Sequence, residues 1–580
     1  MSIFSKIPKP YVPKSKHNLS HPWLGTIKMG KLIPFYVEDI VPSDYINLST
    51  EMKIKFDPLT APIMTNIDAF VSYWFVPYRL IWNNAEDFFG IYQTAPDPSS
   101  QSGVKSAPIM PKTYIPSASG VVASSLADYM GLPANFTAGQ NTYKLTGEFS
   151  ALPFRAYHLI YNEFFRDGNL QEEFNIYKGD YDPEMKTNYS TVKDGYAHLN
   201  VIHNRAWRKD YFTSALPFPQ RGPEVTLPVS GTAAIRTTNN GKRQYLDFDN
   251  RGGTTTFNDG SDVVYARGTG TDQNEKGTIQ EYSRLGASGT DSGGTRPLGL
   301  TNENMSKALA YDNSKHLYTD LEDIQAVLDN AVSPNVNEYR RAFAIQRWLE
   351  ALARAGSRYT EQLRGVFGVS PDDARLQRPQ FLGANRIPIM VSEVVQTSAT
   401  ESGANGSAQG NLAGYAGAVS MNGHFKRRFK EHGVVIGIMC VAPQPVYASA
   451  LQRFWLKDDV LDFGWPQFSN LGEQEIWQGE IWPYASDSDK KNVFGYAPRY
   501  AEYKYHPSSV HGDFVNQLNY WHLARQFSSS PNLNSDFIQI KPADTSRIFA
   551  DVSGETDQIQ VQLYNRIRSI RPFTKFGIPV

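Results

Sequence analysis

Cysteine is all but missing from this chain: 580 residues hold one, Cys440. A lone thiol makes no intramolecular disulfide, so burial and hydrogen bonding must hold the fold, as suits a reducing cytosol. Long apolar runs are missing too. The longest, Val434 to Ala442, is nine residues with Gly437 inside; a spanning helix needs about 20, so no membrane insertion is expected. Met1 to Leu19 is interrupted by Pro8, Pro10 and Pro13 and has no apolar centre, so no secretory leader is expected. Triplets such as Asn47-Leu48-Ser49 then count as chance glycosylation motifs.

Reactive constellations are also lacking. There is no G-x-S-x-G elbow and no H-E-x-x-H, and Gly241-Lys242-Arg243 lacks the first glycine and the hydroxyl residue of a phosphate loop. His198/His203 and His506/His511 are each five apart, off any shared helical face, and read as structural or surface histidines. No catalytic residue, metal or cofactor is expected. Carboxylates are plentiful at Asp458, Asp459, Asp462, Glu473 and Glu475, and glycoside hydrolysis needs only two well-spaced acids. A β-sandwich carbohydrate-active enzyme or carbohydrate-binding protein is therefore the alternative reading.

What is present is material for a large core: 41% hydrophobic and 13% aromatic residues. The net charge of −1 hides a division. Residues 1–37 contain six lysines and no acid, and residues 561–580 contain Arg566, Arg568, Arg571 and Lys575 and no acid, so the remainder carries −11. Basic ends on an acidic body either meet something anionic or are simply solvated. Lys6, Lys9, Lys14, Lys16, Arg566, Arg568, Arg571 and Lys575 are the candidate DNA-facing residues. A second candidate is the run His424 to Lys430, where Lys426, Arg427, Arg428 and Lys430 interleave with Phe425 and Phe429. Such a run binds single-stranded nucleic acid by charge and stacking, or else is an exposed strand.

Along the chain, residues 1–25 read as an extended basic arm ordered by neighbours. Leu32–Val37, Ile46–Phe56 and Ile67–Val76 read as strands, the second alternating apolar and polar as a half-buried antiparallel strand does. Residues 26–230 make the first part of a sandwich with short helices and loop insertions. Residues 231–320 form a surface insertion; its core, 231–300, holds 13 glycines and 11 threonines but only 10 residues from Leu, Ile, Val, Phe and Met, too few for a private core. Residues 321–580 carry a helix over 334–367 and the remaining strands. In that helix Ala342, Ile345, Leu349, Leu352, Tyr359, Leu363 and Val366 share one face, which predicts packing on a core with the arginines solvated. Ser333 and Pro334 mark its start, Gly368 and Pro371 its end, and Gly356 is a possible break. Further strands are expected at Ile387–Val395, Val434–Val441, Phe537–Ile540, Ile548–Val552 and Ile559–Tyr564. The aromatic stretch 451–526 is expected to be buried between elements or between subunits.

Five blocks carry a resemblance: Phe367-Gly368-Val369 with Asp373 to Pro379; Trp207 to Pro217 with Gln220-Arg221-Gly222; Phe429 to Gly433; Asn470 to Ile476; and Phe494-Gly495-Tyr496 with Arg499 to Tyr503. In this order they resemble the major capsid protein of the microviruses, small single-stranded DNA bacteriophages, on the gokushovirus side. The resemblance implies an all-β fold, an eight-stranded antiparallel jelly roll of viral capsid type with long loop and helical insertions. It implies a homo-oligomer of sixty copies in a T=1 icosahedral shell around a circular single-stranded DNA genome, assembled in the host cytoplasm and resident in the virion. It also implies a small basic DNA-packaging protein as helper, and threefold projections built by the 231–320 insertion to meet a host cell-surface receptor.

Overall fold

The computed structural model describes residues 12–89, 108–116, 118–180, 199–223, 225, 336–370, 372–395, 412–551 and 556–575, with four short strands between 234 and 327. The chain divides into two compact units, residues 1–224 with 344–580, and residues 225–343. In the second, Ala234–Thr237 pairs antiparallel with Ile324–Val327, and Thr254–Thr256 with Asp262–Val264. The rest of the 231–320 insertion lies outside the described residues.

The first unit is built on two antiparallel sheets. The strands of these two sheets are β1 (Ser15–Asn18), β2 (His21–Ile27), β3 (Ile33–Ile40), β4 (Tyr45–Phe56), β5 (Ile67–Pro77), β6 (Gln380–Pro388), β7 (Met390–Val395), β8 (Leu412–Arg428), β9 (Gly433–Pro443) and β10 (Ile559–Arg571). One sheet runs β1–β10–β4–β8–β7, with β2 also on β10; the other runs β6–β5–β9–β3. β4 and β10 alternate buried and open positions almost without fault, as strands with one solvated face must. Their inward residues, among them Ile46, Leu48, Ile54, Val561, Leu563 and Ile567, pack against Phe35, Val71, Tyr73, Phe75, Val435 and Met439 of the other sheet.

The four-stranded sheet has no solvated face along β9, although its edge strand β6 keeps Phe381, Ala384 and Arg386 exposed. All eleven residues of β9 are buried, because its second face, with Trp74, Val434, Ile436, Ile438 and Cys440, is covered by a helix, α1 (Leu152–Ile160), that presents Leu152, Phe154, Tyr157 and Ile160. That is why β9 reads as an unbroken apolar run rather than an alternating one. Cys440 behaves as a small apolar side chain there, burial pushing its thiol up to about 11. The sheets are also joined by hydrogen bonds. Tyr73 Oη donates to Thr50 Oγ1 at 2.6 Å, and Thr50 Oγ1 donates to Asn565 Oδ1 at 2.9 Å. Gly423 faces Thr50 just past a register shift in β8. A Cβ there would come within 3.0 Å of Tyr73 Oη, so the missing side chain is what admits the bond.

Several expectations are corrected. The arm 1–25 is not waiting for neighbours from Ser15 onward: β1 and β2 pair with β10 of the same chain. The helix over 334–367 is two, α2 (Val336–Ala355) and α3 (Tyr359–Phe367), separated at Gly356, which takes φ +120. Its apolar face is not seated on a core: in α2 only Leu349 and Ala353 are buried, and in α3 nothing is. Gly368, at φ +67, ends α3 as a left-handed cap; Ser333, Pro334 and Pro371 lie outside the described residues. Residues 535–538 and 542–548 form short helical turns instead of strands, because the sheet position beside β4 is already held by β10.

α1 also carries a histidine pair. His158 Nε2 donates to the Leu199 carbonyl at 2.8 Å, and its Nδ1 lies 2.8 Å from His203 Nε2, so the facing nitrogens share one proton. Burial, then the neighbouring His158 and Lys31, hold His203 well below the usual histidine range. In the unfolded chain the ring takes a proton near pH 6.5. Below that the unfolded state binds more protons than the folded one, so stability falls as pH falls. Thermal melts from pH 7 to 5.5 should show that decline, flattened in His203→Gln. Ile436→Ala should cost about 2–5 kcal/mol in denaturant unfolding, whereas Gln562→Ala, on the open face, should stay within about 0.5 kcal/mol.

Candidate nucleic-acid interface

Strand alternation gives the larger sheet its chemistry. With Ile, Val and Leu turned inward along β4 and β10, the residues between them must face out: Lys53 and Lys55 on β4, and Gln560, Gln562, Tyr564, Arg566 and Arg568 on β10, all open except the half-buried partners lower on β4. β8 adds His424, Lys426 and Arg428, all exposed. Residues directly opposite in an antiparallel pair share a face, so the register assembles rows across the sheet. Lys426, Asn47, Arg568 and Asn18 make one row; His424, Ser49 and Arg566 the next; Arg428, Tyr45, Ile570 and Lys16 the one beyond. Neighbouring side chains in a row stand about 5 Å apart.

This face therefore gathers Lys16, Lys53, Lys55, Lys426, Arg428, Arg566 and Arg568 against a single carboxylate on these strands, Glu51. Glu51 Oε1 accepts from Arg566 Nη2 at 2.5 Å. Tyr45 and Tyr564 lie in the same field, with the Arg566 guanidinium 6.0 Å from the Tyr564 ring centroid. A cationic surface with interspersed aromatic faces suits a single-stranded polyanion whose bases stack.

The two sequence candidates, the C-terminal cations and the 426–430 run, thus fall on one sheet, with β4 between them. Not every candidate joins the face. Arg571 is turned to the sheet's other side and pairs with Glu38 and with Asp44, the latter at 3.6 Å. Lys14 donates to Ser43 Oγ. Arg427 sits opposite inward-facing Ile46 at the sheet's end, and Lys430 lies just past β8; both are exposed. Lys575 is exposed beyond β10, and Lys6 and Lys9 lie outside the described residues. Lys53 and Lys55 were passed over in the sequence, although the alternation read in 46–56 already put them on the solvated side.

Elsewhere two of the carboxylates weighed for glycoside chemistry are held in ion pairs. Glu473 pairs with Arg354, and Asp458 with Lys491 at 2.8 Å. Glu480 closes a buried pair with Arg453 at 3.3 Å and accepts from Tyr211 Oη at 2.8 Å. Among the described residues no group of three or more His, Cys, Asp or Glu is placed to hold a metal ion, and no helix is long and apolar enough to cross a membrane.

Lys426→Ala with Arg568→Ala should weaken binding of a single-stranded oligonucleotide, each lost phosphate contact flattening the slope of log K against log salt by about 0.7. Arg571→Ala should leave that slope unchanged and lower stability by about 1–3 kcal/mol. Fluorescence anisotropy across a salt series, beside thermal melts, separates the two.

The family described as "Capsid protein (F protein)" matches residues 5–580. The chain is 33% identical to capsid protein VP1 of Chlamydia phage 1 and 32% identical to capsid protein VP1 of Bdellovibrio phage phiMH2K, each over 99% of this chain and 97% of the relative. It is 28% identical to capsid protein VP1 of Spiroplasma virus 4 over the same shares. The chain belongs to this capsid protein family.

Proposed function

We propose that the chain is the major capsid subunit of a small phage, and that its work is assembly rather than turnover. The observation that carries this is the end-to-end family match over residues 5–580. Sixty copies would close a T=1 icosahedral shell around a circular single-stranded DNA genome. The proposed barrel is an eight-stranded jelly roll. The strand orders β2–β10–β4–β8 and β3–β9–β5–β6 support it, since each sheet alternates strands from the two ends of the fold, as Greek-key winding requires.

The open face of β4, β8 and β10 is the proposed DNA side. Its charge is modest for neutralising a genome, which suits a small basic packaging protein as helper. The 231–320 insertion is proposed to project outward at the threefold axes and meet a host receptor. Its composition supports this, as does its place within the separate unit 225–343.

Electron microscopy of particles from cells expressing the chain with the other phage genes should show uniform hollow or filled shells; lone globules would overturn the reading. Deleting 231–320 should leave shell formation within about threefold of normal while abolishing attachment to host cells, because contacts repeated by symmetry survive the loss of a peripheral loop.

A further inference from the structure

The segment between β9 and the hairpin Glu473–Trp477/Val493–Pro498 holds large apolar side chains out in solvent. Trp455 is 69% exposed, Val460 65%, Leu461 58% and Phe454 52%, with Phe463, Trp465 and Leu471 also open. Taken together these side chains present on the order of 700 Å² of apolar surface. That exceeds the few hundred Å² usual on a monomer and approaches the roughly 800 Å² each partner gives to a stable interface.

The segment is not a loose loop that failed to fold inward. Gly464 N donates to Tyr503 Oη and Trp465 N to Tyr500 Oη, each at 3.0 Å, and Trp465 Nε1 donates to the Val460 carbonyl at 2.9 Å. Asp462 accepts from the backbone N–H of Asp458 and of Asp459, both at 3.1 Å. Tyr500 takes φ +60 while Gln474 Oε1 holds its N–H at 2.9 Å. Apolar groups are thus fixed in place facing outward, the condition under which binding loses least conformational freedom. The rim is acidic: Asp458, Asp459 and Asp462 face one lysine, Lys491.

A second unpartnered apolar surface carries the opposite charge. On α2 and α3, Ile345, Trp348, Tyr359, Val366 and Phe367 are exposed. Flanking them on the same two helices, Arg347 and Arg364 are exposed, and neither makes an ion pair or side-chain hydrogen bond among the described residues. Ile345, Tyr359 and Val366 belong to the face that the sequence pattern assigned to a core, of which Leu349 is buried and Ala342, Leu352 and Leu363 are half-buried.

We infer that these two surfaces are one contact between copies: the acidic aromatic segment 454–471 of one subunit seats on the basic apolar face of α2 and α3 of another. The inference rests on the capsid reading, and a second copy of the chain is the partner whose surface matches in both respects, apolar with apolar and acid with arginine. Burying Trp455, Leu461 and Trp348 supplies the attraction, and the charges fix the pairing and reject misaligned approaches.

The test is a charge exchange in the full-length chain, expressed with the other phage genes and scored by sedimentation and electron microscopy of shells. Asp458→Arg with Asp459→Arg, and separately Arg347→Asp with Arg364→Asp, should each cut shell yield roughly tenfold or more, while unassembled subunits still unfold cooperatively, the first variant melting slightly lower for loss of the Asp458–Lys491 pair. All four substitutions in one chain should restore yield to within about threefold, since each charge again meets its opposite. Normal yield from either two-residue variant overturns the inference, as does a four-residue variant no better than its parents. If the unsubstituted chain forms no shells, the capsid reading itself fails, which is a different result from either of these.

Discussion

β10 is the strand on which the rest of the barrel depends. It lies between β4 and the two N-terminal strands, so residues 559–571 hold three strands from the first 56 residues in one sheet. A strand has a side-chain period of two, and that fixes both of its jobs together. Ile559, Val561, Leu563 and Ile567 close the core, which leaves Arg566 and Arg568 no direction but outward. A slip of one residue would put arginine into the core and isoleucine into solvent, so the hydrophobic effect that sets the register also sets the position of the cations.

The second sheet obeys a different rule because both its faces are covered over its central strands β5 and β9. Its inner face meets the larger sheet and its outer face meets α1 with the loops around Trp82 and Leu126. A third cluster, around Phe212, Tyr447, Ile476 and Phe494, anchors the chain that crosses beyond the sheets. The subunit is thus layered as larger sheet, smaller sheet and helix, with one solvated sheet face. Two unmatched apolar surfaces, 454–471 and α2–α3, lie outside these cores, an excess that suits a chain completed by its neighbours.

Much of this was legible in the sequence, for reasons particular to each element. β4 and β9 could be read because their burial leaves distinct traces, alternation in one and an unbroken apolar run in the other. Gly356 and Gly368 marked breaks that only glycine makes cheaply, and both take positive φ. The strand pairing of residues 15–27 with β10 was hidden, since their partners lie more than 500 residues away and Pro-rich surroundings mask a short strand. The α2 face misled because helical periodicity shows that a surface wants burial without saying which molecule supplies it. Ile538 and Ile548 carried strand-like composition, yet hydrogen-bonded positions in the sheet were already filled. At the basic face the candidates were visible singly, whereas their convergence needed the register of β8, β4 and β10.

The proposed division of labour assigns the open face of the larger sheet to the genome. A cryo-electron microscopy reconstruction of DNA-filled particles tests this most directly. The expected result is that the row of Lys426, Asn47 and Arg568 lines the lumen, with ordered nucleic-acid density within hydrogen-bonding reach. The contradicting result is that row turned to the particle's exterior, or sealed beneath a neighbouring subunit with no nucleic acid beside it.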